Sequence, residues 1–171
     1  PFSPLCANNS PITLTGGLPD GGTYSGDGVA AGMFDPTVAG QGEHLITYTI
    51  PPVNGCEGMS RQSITVWSVP QPALGADTVL CSNLVLTLDG TTPDAVSYRW
   101  EPGGATTSAI AIDSAGVGNG SVVFTLSATS ENNCTGTDQV MVTFKDCTGI
   151  ADFSGVMSVS IFPNPGQGIF H

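Results

Sequence analysis

Ile12-Thr13-Leu14 is followed by Pro19-Asp20 and Tyr24, and Leu86-Thr87-Leu88 is followed by Pro93-Asp94 and Tyr98. The steps from the last Leu to Pro and from Pro to Tyr are five residues in both copies. Cysteines frame the two passages: Cys6 and Cys81 precede them, and Asn54-Gly55-Cys56 and Asn132-Asn133-Cys134 follow. Eight residues past each second cysteine comes the same kind of strand, Ile64-Thr65-Val66 and Val142-Thr143-Phe144. Matches at so many offsets, with a period of about 75 to 78 residues, define two copies of one module.

Within each copy the apolar residues alternate: Leu84, Leu86 and Leu88; Ile46, Tyr48 and Ile50; Val122, Phe124 and Leu126. A period of two buries one face of a strand. Turn signals recur every ~8 to 12 residues, a spacing that suits an antiparallel sandwich. The 23 glycines and 13 prolines interrupt every candidate helical stripe. The expected fold is therefore all-β, two tandem antiparallel β-sandwiches plus a partial β tail. The expected division is a first module over 1–67, a Pro-rich linker over 68–73, a second module over 74–145 and a tail over 146–171. Pro70 and Pro72 favour an extended, semi-rigid linker that strings the modules end to end.

Only three cations, Arg61, Arg99 and Lys145, stand against 14 carboxylates, for a net charge of −11. Nucleic-acid binding needs clustered cations, so it is excluded as a function class, and anionic membrane surfaces are disfavoured for the same reason. No run approaches the roughly 20 apolar residues that span a bilayer, so no membrane insertion is expected. The chain begins at Pro1 rather than Met and reads as a piece of something longer.

Five cysteines without a C-x-x-C pair, and only two histidines, argue against a metal site. Wide spacing in a Gly-rich chain reads as disulfides, hence an oxidising, extracellular compartment. If each copy carries the same bond, Cys6 pairs with Cys56 and Cys81 with Cys134, each closing about 50 residues for roughly 4 kcal/mol. Cys147 is then unpaired, either a free thiol or a bond to a neighbouring subunit.

The runs LTGGLPDGGTYSGDGV (14–29), MFDPTVAGQGEHLITYTI (33–50) and NGCEG (54–58) resemble the immunoglobulin-like repeats of large surface proteins from Bacteroidota. CSNLVLTLDG (81–90), SYRWEPGGATTSAI (97–110) and NNCTG (132–136) resemble a sister group. The resemblance implies Ig-like sandwiches, with Trp100 as the buried tryptophan on the third strand. The first copy has Gly26 at the matching place, with Tyr24 to fill the space. Cys134 lies in a polar turn rather than within a strand, so its bond should staple one end of the sandwich. Val159-Ser160-Ile161-Phe162-Pro163-Asn164-Pro165-Gly166-Gln167-Gly168-Ile169-Phe170 resembles the opening of the C-terminal sorting domain of type IX secretion. That likeness implies recognition by the secretion machinery through Pro163, Asn164, Pro165, Gly166 and Gly168. The strand from Val159 to Phe162 should add to a neighbouring surface protein or another copy, giving a homo-polymer.

Sharper chemistry finds little support. Gly26-Asp27-Gly28-Val29-Ala30-Ala31 fits G-x-G-x-x-A, but Pro36 disfavours the required helix and Asp27 would repel phosphates, so it reads as a turn. His44 has no G-x-S-x-G partner and reads as a surface strand histidine. Asp20, Asp27, Asp35, Asp89 and Asp94 sit at turns, where Asp bonds its own backbone, rather than in a glycosidase pair. A structural calcium there is a weaker reading, since no EF-hand loop occurs. Trp67, Trp100, Tyr24 and Tyr98 offer a possible sugar platform, although core packing explains Trp100 better. Asp77-Thr78-Val79 and Asp113-Ser114-Ala115 resemble a short O-glycosylation motif of Bacteroidota, with Thr78 and Ser114 as acceptors. The expected function is non-enzymatic and cofactor-free: an extracellular stalk or surface-fibre segment. The alternative is a carbohydrate-binding module or spacer on a secreted hydrolase.

Overall fold

The computed structural model describes residues 2–53 and 56–147, so the sorting-like stretch Val159–Phe170 lies outside the described residues. The first module comprises β1 (Leu5–Cys6), β2 (Ile12–Thr13), β3 (Thr23–Ser25), β4 (Val29–Ala30), β5 (Met33–Phe34), a one-turn helix α1 (Pro36–Ala39), β6 (Gly42–Val53) and β7 (Cys56–Trp67). Its strands form two sheets, ordered β1-β7-β6-β3 and β2-β5-β4. The second comprises β8 (Thr78–Cys81), β9 (Leu86–Asp89), β10 (Ala95–Glu101), β11 (Ala109–Ile112), β12 (Gly120–Ser130) and β13 (Thr135–Lys145). Its sheets are β10-β12-β13-β8 and β11-β9. The fold is an all-β sandwich architecture, as the alternation predicts.

The ladders are equivalent in the two modules at the first strand and along the long hairpin. Leu5 and Cys6 run parallel to Val66 and Trp67, as Leu80 and Cys81 run parallel to Phe144 and Lys145. Gly42 opposes Val66, and Gly120 opposes Phe144. Alternation fixes which face is buried. Ile46, Ile64 and Val66 meet Leu14 and Phe34 in one core, and Phe124, Leu126, Val140, Val142 and Phe144 meet Leu88, Trp100 and Ile112 in the other. Leu45 and Val123, one residue out of phase, face solvent.

Trp100 is fully buried and donates its indole N–H to the Thr107 carbonyl at 2.8 Å. Gly90 makes room for this packing, because a Cβ there would overlap Leu126. Trp100 opposes Leu126, and Tyr24 opposes Tyr48, the residue equivalent to Leu126 in the shared hairpin frame. By ladder register, therefore, Tyr24 stands in the tryptophan's slot, and Gly26 does not. The cause is loop length: twelve residues lead from Leu88 to Trp100, but ten from Leu14 to Tyr24.

His44 is a correction. It is buried in the inward row His44, Ile46, Tyr48, with Nε2 2.8 Å from the Gly40 carbonyl and its ring 5.9 Å from Phe34. Strand parity puts it inside, and the carbonyl satisfies its polar nitrogen. The G-x-G-x-x-A stretch turns into β4, with Gly28 at φ 74° against the short helix. Asp35 caps that helix by accepting from Thr37 N at 2.9 Å, and Pro36 occupies its first turn.

The cysteine pairing also differs from expectation. Cys6 bonds Cys134, with Cα atoms 5.5 Å apart, and Cys81 bonds Cys147, with Cα atoms 5.4 Å apart. The pairs Cys6–Cys56 and Cys81–Cys134 are not formed, and Cys147 is not unpaired. Cys6 sits at the opposite end of β7 from Cys56, eleven positions along the strand, so a bond within the module is out of reach. The five cysteines less the four bonded leave Cys56 without a cysteine to pair with inside the chain. Non-reducing peptide mapping should recover these two links, with one titratable thiol per denatured, unreduced chain. Trp100→Ala should cost about 3–5 kcal/mol in urea unfolding.

Candidate functional site

The meeting of the two modules is the most elaborated place on the molecule. The β12–β13 hairpin tip closes by paired bonds, Ser130 N to the Cys134 carbonyl at 2.9 Å and Cys134 N to Ser130 Oγ at 3.2 Å. This presents Cys134 to the first module, where its disulfide with Cys6 leaves it fully buried. Beside the bond, Asn8 Nδ2 donates to the Thr135 carbonyl at 3.0 Å. Cys6 itself is held by Asn9, whose Oδ1 accepts from Cys6 N at 2.7 Å, and Ala7 N donates to the Trp67 carbonyl at 2.9 Å.

The linker lies flat along β13. Pro70 is buried, and a Cβ on Gly136 would overlap the Pro70 carbonyl. Asp138 Oδ2 accepts from Leu74 N at 2.8 Å, and Asp77 Oδ1 accepts from Met141 N at 2.8 Å. Leu74 packs against the second core. The chain running from the linker toward β8 is thus pinned to β13 at Pro70, Leu74 and Asp77, through Gly136, Asp138 and Met141, contacts that sequence reasoning did not find. One signal was visible: both copies carry Cys-x-Gly, as Cys56-Glu57-Gly58 and Cys134-Thr135-Gly136.

The first module holds a cleft of about 200 Å³ lined by Phe2, Tyr24, Ile46, Tyr48, Ser60 and Gln62 among others. Tyr24 and Tyr48 pack with ring centroids 4.8 Å apart. Tyr48 Oη donates to the Pro19 carbonyl at 2.7 Å and accepts from Gly22 N at 2.8 Å, while Tyr24 Oη accepts from Gly17 N at 2.7 Å. Both hydroxyls therefore fasten the loop between β2 and β3.

Other sequence candidates are dispersed. Trp100 is buried and cannot stack on a sugar, and Trp67 borders a separate shallow groove with Gln41, Glu43 and Ser68. The four aromatics do not form one platform. Thr78 pairs with Val142, and Ser114 Oγ donates to the Ser82 carbonyl at 2.7 Å. Asp89 Oδ1 accepts from Thr91 N at 2.9 Å. Hydrogen bonds with the Thr37 and Thr91 side chains hold the Asp35 and Asp89 carboxyls below their ordinary range. A depressed carboxyl adds stability above its ordinary pKa of 3.8 and loses it as pH falls through the lowered value. Both groups are exposed, so the effect is small. Among the described residues no cluster of His, Cys, Asp or Glu is placed to hold a metal, and no helix is long and apolar enough to cross a membrane.

The two-sheet layout with a first strand parallel to the last is that of an Ig-like sandwich. No protein-family model and no curated protein matches the chain. Among solved structures, the PKD domain from KIAA 1837 protein is 30% identical, covering 48% of this chain and 93% of that domain, with a TM-score of 0.40. The IG1+IG2 pair of DIP-gamma is 14% identical over 61% of this chain and 59% of its own, with a TM-score of 0.35. A Bacteroides ovatus protein, SGBP-B of a mixed-linkage glucan utilization locus solved with a mixed-linkage heptasaccharide, is 16% identical, with a TM-score of 0.29. That match covers 83% of this chain and 43% of the Bacteroides protein.

Gly136→Ala should force the linker off β13 and cost about 1–3 kcal/mol. Gly58→Ala should cost less, because a Cβ there meets only the flexible end of Ile50, at 2.9 Å. Chemical denaturation of the two variants checks the contrast.

Proposed function

We propose that the chain is a load-bearing extracellular segment, a stalk or surface-fibre subunit delivered by type IX secretion, with no catalytic role. The observation that carries this reading is the bond between Cys6, in the first module, and Cys134, in the second. Under tension along the chain, force enters at Cys6, crosses the sulfurs to Cys134 and bypasses everything between. The bypassed span has a sequence separation of 128, which extended would reach about 430 Å. The second bond ties Cys81 to Cys147 over 66 residues, so little of either sandwich can be drawn out. A spacer that must keep its length under load gains directly from such a path. Disulfides persist in oxidising compartments, which supports an extracellular site. The Pro163-Asn164-Pro165-Gly166 and Gly168 pattern supports delivery by the type IX machinery.

Pulling single chains by their termini tests the mechanical reading. The oxidised chain should show no unfolding step approaching the ~430 Å span, and the reduced chain should release it. Equal extension in both states would refute a load path through Cys6–Cys134.

A further inference from the structure

The two modules present equivalent strand positions at the same place, but among the described residues only the second module's face is covered by a preceding linker. In the shared hairpin frame, Gly58, Ser60 and Gln62 of β7 are equivalent to Gly136, Asp138 and Val140 of β13, and Tyr48 is equivalent to Leu126. On the second module this inner face carries the preceding linker: Pro70 over Gly136, and Leu74 held at Asp138 and packed on the core. On the first module the corresponding face is the open cleft between Phe2, Tyr24, Tyr48, Ser60 and Gln62. Cys56 stands two residues before Gly58, as Cys134 stands two before Gly136. Cys134 is bonded to the first-strand cysteine of the preceding module, while Cys56 has no cysteine to pair with inside the chain.

We propose that the inner face of β7 at Gly58, Ser60 and Gln62 and the adjoining cleft are a docking surface for another module of this kind, which lies ahead of the first and repeats the observed junction. That module would supply a first-strand cysteine at the position of Cys6. Its linker would lay a carbonyl over Gly58 and an apolar side chain into the cleft, with Ser60 accepting the backbone N–H that Asp138 accepts in the second module. Formation of the bond converts two thiols into one disulfide. The two electrons and two protons pass to oxidised glutathione, which leaves as two glutathione thiols. A second copy of this same chain does not fit the role through its own second module, because Cys81 there is already bonded to Cys147. The inference deepens the reading of the chain as a load-bearing segment and rests on it.

The test places residues 1–75 of this sequence directly ahead of Pro1 of the full chain, so that the added Leu74 lies two residues before Pro1, as Leu74 lies two before Ala76. The protein is refolded in a glutathione redox buffer and mapped without reduction. The expected link joins the added copy's Cys6 to Cys56 of the following module, leaving the added copy's own Cys56 as the free thiol. A second form carries Cys6→Ser in the added copy, so that docking is read without the bond. In it, amide hydrogen exchange around Ser60 and Gln62 should slow by about tenfold or more relative to the original chain. Leu74→Asp in the added copy should restore the original exchange. A thiol persisting at the following module's Cys56, unchanged exchange, or a Cys56–Cys56 dimer of the original chain would each overturn the proposal. The force response of the original chain is independent of this surface, so it separates failure here from failure of the load-bearing reading.

Discussion

The buried sulfur of Cys134 at the hairpin tip is the point on which the arrangement of the two sandwiches turns. A tight hairpin beyond the edge of a sandwich core is ordinarily a solvent-exposed turn. Here its cysteine is withdrawn from water completely, because Cys6 and the turn at Asn8 close over it. The benefit is mutual. β1 is a ladder of only two residues on β7, too short to hold a chain segment by itself. The covalent bond fixes β1 from outside the module, and that in turn fixes where the linker must begin.

With both ends of the linker set, its course along β13 is almost determined. Seven residues separate Trp67 from Gly75, and they must descend beside β13 to deliver β8 into parallel register with Val142–Lys145. Gly136 permits the close pass at Pro70, while Asp138 and Asp77 each satisfy a backbone N–H that no sheet partner reaches. The Leu74 amide is half-buried and the Met141 amide exposed, and these carboxylates replace the ladder where it is interrupted. In the chain-entropy model the bond spanning 128 residues contributes about 5 kcal/mol and that spanning 66 about 4. The bonds interleave in sequence, so these contributions are not additive, and loosening either module alters the constraint on the other.

The repeat was legible because it is written in features that do not depend on neighbours: strand alternation, turn residues and the hairpin spacing. Ile64-Thr65-Val66 and Val142-Thr143-Phe144 occupy equivalent ladder positions, as their shared distance from a cysteine implied. Parity places His44 inside, on the row of Ile46 and Tyr48, where the surface reading was wrong and the Gly40 carbonyl meets its ring nitrogen. Tyr24 illustrates a limit of period two. Tyr98 and Trp100 lie on the same side of their strand, so pattern matching cannot choose between them, and only the two-residue difference in loop length does. The disulfides were illegible for a different reason. Demanding the same bond within each copy treats each module as closed. A repeat is equally consistent with bonds between adjacent copies, and only the path of the linker decides which cysteines come within the few ångströms a disulfide allows.

That distinction also explains why equivalent cysteines have different partners. Cys6 and Cys81 share one environment: each closes the first strand, and the next residue donates to the last strand, from Ala7 to Trp67 and from Ser82 to Lys145. Two residues past those acceptors stand Val69 in one copy and Cys147 in the other. Val69 carries the chain on toward the next module, near Gly136, and leaves Cys6 open to a sulfur from that module's hairpin. Cys147 turns back and takes Cys81 for itself. The same backbone thus joins a following module in one copy and seals itself in the other. This gives the pair a polarity: the lock that unites the two sandwiches is occupied internally at Cys81, on the side that leads into the tail.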